Sequence, residues 1–201
     1  MPAAHAWVAA QPLLAAALAQ RSWQRDLAEV IGPYHATLAP LLSGLPPLWT
    51  HGDWHASNLL WSTSGEDAYV QSVLDFGLAD RSCALVDLAL AIERNTIEWL
   101  VEPARRAVHL EHIDALLDGY ASVAPLSARD FRVLIALLPI VHTEFALSEV
   151  AYFDGVLKQP QDADIAYHDY LLGHTRWFAE PAGRALLTHL AARRDDIRGR
   201  L

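Results

Sequence analysis

THGDWHASNLLW, residues 50–61, places two histidines, an aspartate and an asparagine in one short segment that runs straight into apolar residues. Polar chemistry packed into a loop beside an apolar run points to function, because loops held by a rigid scaffold are where binding and catalytic groups concentrate. Leu48–Thr50 reads as an extended run entering the loop. Asn58–Trp61 and Tyr69–Leu74 read as two strands of a hairpin, joined by a turn of Ser, Thr, Gly, Glu and Asp.

Outside this β element the pattern is helical. Residues 13–20 and 22–43 precede it, the second with Leu27, Val30, Ile31, Tyr34, Leu38, Leu41 and Leu42 at helical spacing, stopped by Gly44 and Pro46-Pro47. After Ala84, residues 84–100, 109–121, 127–157, 162–179 and 181–195 carry long apolar stripes, with breaks near Pro103, Pro125, Pro160 and Pro181. The expected fold class is α+β, mostly α. The expected organisation is one domain over residues 1–201: leading helices in 1–47, the loop and hairpin in 48–83, and a helical subdomain in 84–201.

Composition narrows the partners. A formal charge of −9 argues against a nucleic-acid backbone or an anionic membrane. The Ala-rich N-terminal stretch has no basic leader and is interrupted by His5, Gln11 and Pro12, so it reads as neither a signal peptide nor a span. A lone cysteine, Cys83, excludes an internal disulfide framework and fits a reducing, cytoplasmic setting.

The loop has the spacing H-G-D-x-x-x-x-N (His51, Gly52, Asp53, Asn58), and the hairpin ends on Asp75-Phe76-Gly77. Phosphoryl transfer from a nucleotide needs a carboxylate to orient and deprotonate an attacking hydroxyl, and hard oxygen ligands to hold Mg²⁺ against the phosphates. Asp53 suits the first task. Asn58, at the start of one strand, and Asp75, at the end of its partner, suit the second. Phe76 and Cys83 read as buried side chains.

HGDWHASNLLW with VLDFGLADRSCALVDLALAIER resembles the aminoglycoside phosphotransferase/choline kinase family of protein-kinase-like enzymes, particularly its bacterial homoserine kinase-like and stress-response kinase members. The resemblance runs through residues 48–94. It implies a helical lobe bearing the catalytic loop, with ATP and Mg²⁺ as nucleotide and cofactor. It assigns Asp53 as catalytic base, Asn58 and Asp75 as Mg²⁺ ligands, His51 as the brace of the catalytic loop, and Asp87 as the carboxylate that caps it. Gly52 belongs to the same support, and His55 and Arg81 are candidates for contact with phosphate or substrate. In related kinases the C-terminal helices line the acceptor pocket; here Glu149 and Asp154 alternate with aromatics. Such a pocket would suit a small alcohol or amino alcohol through ion pairing and cation–π contact.

The same family places a nucleotide-clamping lobe before the helical one. Only 47 residues precede the motif strand, no glycine falls in a G-x-G-x-x-G pattern, and the sole lysine is Lys158. The chain therefore reads as the C-terminal lobe alone. It would be a fragment, one half of a split kinase whose N-lobe is a separate polypeptide, or a remnant without turnover. Two rival readings stand beside this one. A pseudokinase-like, partner-binding module would dimerise or bind another protein through the apolar face left by a missing lobe. A zinc-dependent hydrolase would use His51, Asp53 and His55, which share one face of an extended strand.

Overall fold

The computed structural model describes residues 2–63, 65, 68–102 and 105–198. The break expected near Pro103, and Ser64, Glu66 and Asp67 of the hairpin turn, lie outside the described residues. The backbone sorts into two compact units. One runs to Leu41 and resumes over Pro139–Leu187; the other comprises Leu42–Leu138 and the chain from Thr188.

The first unit is helical. It holds α1 (Pro2–Ala9), α2 (Pro12–Leu18), α3 (Trp23–Val30), nearly all of α4 (Gly32–Leu42), α8 (Thr143–Ala151), α9 (Pro160–Ile165), α10 (His174–Trp177) and the start of α11 (Pro181–Arg198). Residues 22–43, expected as one helix, divide at Ile31, just before Gly32-Pro33, where Pro33 has no N–H to donate. Two wide-turn π segments, Tyr152–Leu157 and Ala166–Gly173, extend α8 and α9. Leu14, Leu18, Leu27, Leu147, Val150, Tyr167 and Leu171 form its interior, with α2 packed on α8. Tyr167 Oη donates to Asp26 Oδ2 at 2.9 Å, joining the second π segment to α3.

The second unit carries the β element. β1 (Leu48–Thr50) pairs antiparallel with β4 (Asp80–Ser82), Trp49 opposite Arg81. Nested within that ladder, β2 (Leu59–Trp61) pairs antiparallel with β3 (Val70–Val73), Leu59 opposite Val73, with a bulge between Leu60 and Trp61. The hairpin is thus as expected, whereas β4 is an addition. Behind the strands, α5 (Ala84–Thr96) packs on β1, α6 (Leu110–Val123) and α7 (Ala128–Leu137). Leu88, Ala89, Ile92, Ile113, Leu117, Phe131 and Leu134 fill this core. Ser127 caps α7 through a reciprocal box with Asp130.

The expected helix over 127–157 is interrupted. A 3₁₀ turn, Leu138–Ile140, separates α7 from α8, because Pro139 removes a backbone donor from the ladder. Ala128–Leu157 is long and apolar enough to cross a membrane by length and composition alone; 56% of its most apolar window is buried inside the protein, as in core helices.

Candidate active site

The loop between β1 and β2 is built backwards from α5. Asp87, in the first turn of α5, accepts from the His51 amide at 2.7 Å and the Gly52 amide at 3.0 Å. A carboxylate near a helix N-terminus gains from the helix dipole, and it satisfies two N–H groups that no strand partner reaches. Gly52 takes φ +79°, and a β-carbon there would lie 2.3 Å from the Leu78 carbonyl oxygen.

His51 is buried, and both ring nitrogens are engaged. Nε2 lies 2.7 Å from the Leu74 carbonyl and Nδ1 3.2 Å from the Asp53 amide. A carbonyl can only accept and an amide N–H can only donate, so the ring is the neutral Nε2–H tautomer. This ties the catalytic-loop candidate directly to the residue before Asp75.

Asp53 and Asn58 meet. Asn58 Nδ2 donates to the Asp53 carbonyl at 3.0 Å and to Asp53 Oδ2 at 3.2 Å, closing the 3₁₀ turn Ala56–Asn58 over the loop. His55 Nε2 approaches the same Oδ2 at 3.2 Å, and its Nδ1 lies 2.6 Å from Ser57 Oγ. Asp53 Oδ1 is buried and accepts no hydrogen bond; Arg94 Nη2 stands 3.7 Å away.

Asp75 arrives from the other arm of the hairpin. The Leu74 amide donates to the Asn58 carbonyl at 2.8 Å, extending the β2–β3 ladder by one step and making Asp75 a diagonal neighbour of Asn58. Asp75 adopts φ 57°, ψ 69°, a left-handed conformation that Asp tolerates better than most side chains, and its carboxylate accepts from the Gly77 amide at 3.3 Å. The turn exposes Asp75. Phe76 is 60% exposed, which corrects its reading as a core side chain. Its ring lies 4.7 Å from the buried His51 ring, so one face covers the loop while the rest meets solvent. Cys83 is half-buried at the start of α5.

The residues fit a hard divalent cation. The side-chain bonds of Asn58 run through Nδ2, which leaves its amide oxygen for another partner, and one Asp75 oxygen is likewise left over. An amide oxygen and a carboxylate oxygen are the donor types that Mg²⁺ takes.

Arg81 sits on β4, exposed, opposite Trp49. Glu149, on α8, and Asp154, in the first π segment, are half-buried in the other unit. The zinc reading loses its first ligand, because neither nitrogen of His51 is left for a metal.

Two more residues build this site, both at the C-terminal end of α5, and Asn95 lies beyond the sequence reading. Arg94 pairs with Asp53 Oδ1 and, through Nε at 3.4 Å, with the fully buried Glu93. Asn95 Oδ1 accepts from the Ala56 amide at 2.7 Å, while its Nδ2 donates to the Ala91 carbonyl at 2.7 Å and reaches the Trp54 carbonyl at 3.4 Å. The signal was present. Asp87, Ala91, Arg94 and Asn95 follow i, i+4, i+7, i+8, one face of a helix.

A family model described as "Phosphotransferase enzyme family" matches residues 2–126. The chain belongs to the phosphotransferase enzyme family. The match spans the loop, the hairpin and α5, and the family is the aminoglycoside phosphotransferase/choline kinase-like one. Searches of curated proteins and of solved structures returned no match.

Proposed function

We propose that this phosphotransferase family member transfers a phosphoryl group from ATP to the hydroxyl of a small molecule, with Asp53 as base and Asn58 and Asp75 as the Mg²⁺ ligands. The observation that carries the reading is the Asp53–Asn58 bond standing beside a ladder that delivers Asp75 to the same end of the hairpin. Mg²⁺ held there would neutralise charge on the phosphates. Asp53 Oδ1, buried and without a hydrogen-bond donor, takes the proton of the attacking hydroxyl, while Asn58 and His55 fix the other oxygen and hence the orientation of the carboxylate. Arg94 Nη2 stands 3.7 Å from Oδ1.

Turnover also requires a clamp on the nucleotide phosphates. The sequence has neither a G-x-G-x-x-G loop nor a lysine other than Lys158, so the clamp comes from outside residues 1–201, on an adjoining segment or a separate polypeptide. The acceptor is a small alcohol or amino alcohol.

Two measurements test this. NMR of residues 1–201 titrated with Mn²⁺–ATP should broaden the resonances of Asp53, Asn58 and Asp75, and Asp75→Ala should abolish the broadening. ATP consumption over a panel of alcohols and amino alcohols, measured with the clamp present, should fall about 10²–10⁴-fold in Asp53→Asn. Broadening located elsewhere, or turnover indifferent to residue 53, sinks the proposal.

One observation favours a second reading, a partner-binding module. Leu60, Trp61, Tyr69 and Val70 of the hairpin are exposed, together with Phe76. Trp61 and Val70 are partners in the ladder, and exposed apolar surface of this kind marks an interface. Light scattering on the eluting peak decides: a dimer, or capture of a clamp-bearing polypeptide that Trp61→Ser weakens, supports it, and a monomer indifferent to Trp61 removes it.

A further inference from the structure

We propose that His109, Glu111 and His112 form a zinc-class divalent-metal site, oriented by Glu98, at the junction of α5 and α6. The reading is independent of the phosphoryl-transfer chemistry and shares no residue with it.

The ligand atoms of the three residues all lie within 4.8 Å of one another. His109 Nδ1 is 3.5 Å and His112 Nε2 is 4.0 Å from the same oxygen, Glu111 Oε1. With metal–ligand bonds of about 2.0–2.1 Å, adjacent ligands of a tetrahedral zinc stand roughly 3.3 Å apart, so both contacts need only a modest contraction. The two imidazole rings stack with centroids 4.9 Å apart; their in-plane lone pairs converge on one ion once the His112 ring rotates, which its 60% exposure leaves room for.

The fourth residue makes this more than a surface cluster. Glu98 Oε1 lies 3.0 Å from His109 Nε2. A carboxylate can only accept, so it holds the proton on Nε2 and leaves the Nδ1 lone pair facing Glu111 and His112. A carboxylate behind a ligating histidine is the usual way a metal site fixes the tautomer and orientation of its ligand.

The scaffold is defined. Ile97 bridges Val108, the Glu98 amide donates to the Ala107 carbonyl, and the His109 amide donates to the Thr96 carbonyl. Glu98 is thereby fixed against the first turn of α6, three residues beyond Asn95. Two histidines and a carboxylate, borderline and hard donors, suit Zn²⁺ and leave an open fourth position.

The experiment titrates the chelator-stripped chain with Zn²⁺ by calorimetry and with Co²⁺ by visible absorption. Expected are saturable one-to-one binding, Co²⁺ bands of tetrahedral intensity, and a melting temperature raised by Zn²⁺. His109→Ala and His112→Ala should each remove the bands, and Glu98→Gln, which leaves every ligand in place, should weaken binding about tenfold. Circular dichroism of His112→Ala, an exposed residue, checks that the fold is kept. No saturable binding of either metal, or binding unchanged in both histidine variants, overturns the proposal.

Discussion

At Gly52 the backbone takes a positive φ, and any β-carbon would collide with the carbonyl of Leu78. Two independent penalties therefore meet at one residue: the left-handed conformation costs about 1–2 kcal/mol for an alanine, and overpacking adds roughly 1–3 kcal/mol. Gly52→Ala should lower stability by about 3 kcal/mol, measured by urea unfolding. Asp87 is the complementary case. It holds two amides by charge-assisted bonds, of which Asn could reproduce one at best. Asp87→Asn is expected to cost about 1.5–3 kcal/mol in the same assay. These residues were legible in the chain because their types are restrictive: a glycine and a carboxylate flanked by apolar residues each need an explanation. Phe76 was misread because an aromatic defaults to the interior, whereas here it only caps the buried His51 ring and stays mostly exposed.

Among the elements, α5 organises the site. Asp87 grips the loop at residues 51 and 52, Asn95 grips it at residues 54 and 56, and Arg94 stands beside the carboxylate between them. Asn95→Ala should destabilise the unit by about 1–3 kcal/mol by denaturant unfolding and speed hydrogen exchange at the Ala56 amide, which would lose its acceptor. Asn95→Asp retains the acceptor and should spare that amide while losing the two donor bonds. The hairpin was readable from β-rich runs around a turn. β4 was not: Asp80-Arg81-Ser82 has no β-branched or aromatic residue, and it is a strand only because β1 lies opposite. The helix over 127–157 looked continuous because apolar periodicity persists through Pro139, and the backbone donor lost there leaves no trace in the hydrophobic pattern.

On the scale of the whole molecule, contacts between distant parts of the chain were invisible in the sequence. Tyr167 and Asp26 are 141 positions apart. Burial, then the bond to Asp26, pushes the Tyr167 hydroxyl well above its ordinary value of 10.0. Burial pushes Asp26 up, but Tyr167 and Arg25 outweigh it and hold that carboxyl below its ordinary value. The two signs give a window. The tyrosine contributes stability that is whole below its unfolded pKa of 10.0 and is lost as pH rises through the elevated folded value. The aspartate contributes stability that is whole above its unfolded pKa of 3.8 and is lost as pH falls through the depressed one. Tyr167→Phe should cost roughly 1.5–3 kcal/mol near neutrality and flatten the alkaline limb of a stability–pH profile, followed by denaturant midpoints.

The doubly engaged His51 gives the protein a built-in reporter. A buried imidazole fixed as one tautomer shields its ring proton from water, so the Nε2–H should appear as a separate, slowly exchanging line far downfield in a proton spectrum. That line would disappear whenever the β1–β2 connection opened, so the integrity of the loop could be followed without any label, in whichever variant or mixture is in the tube.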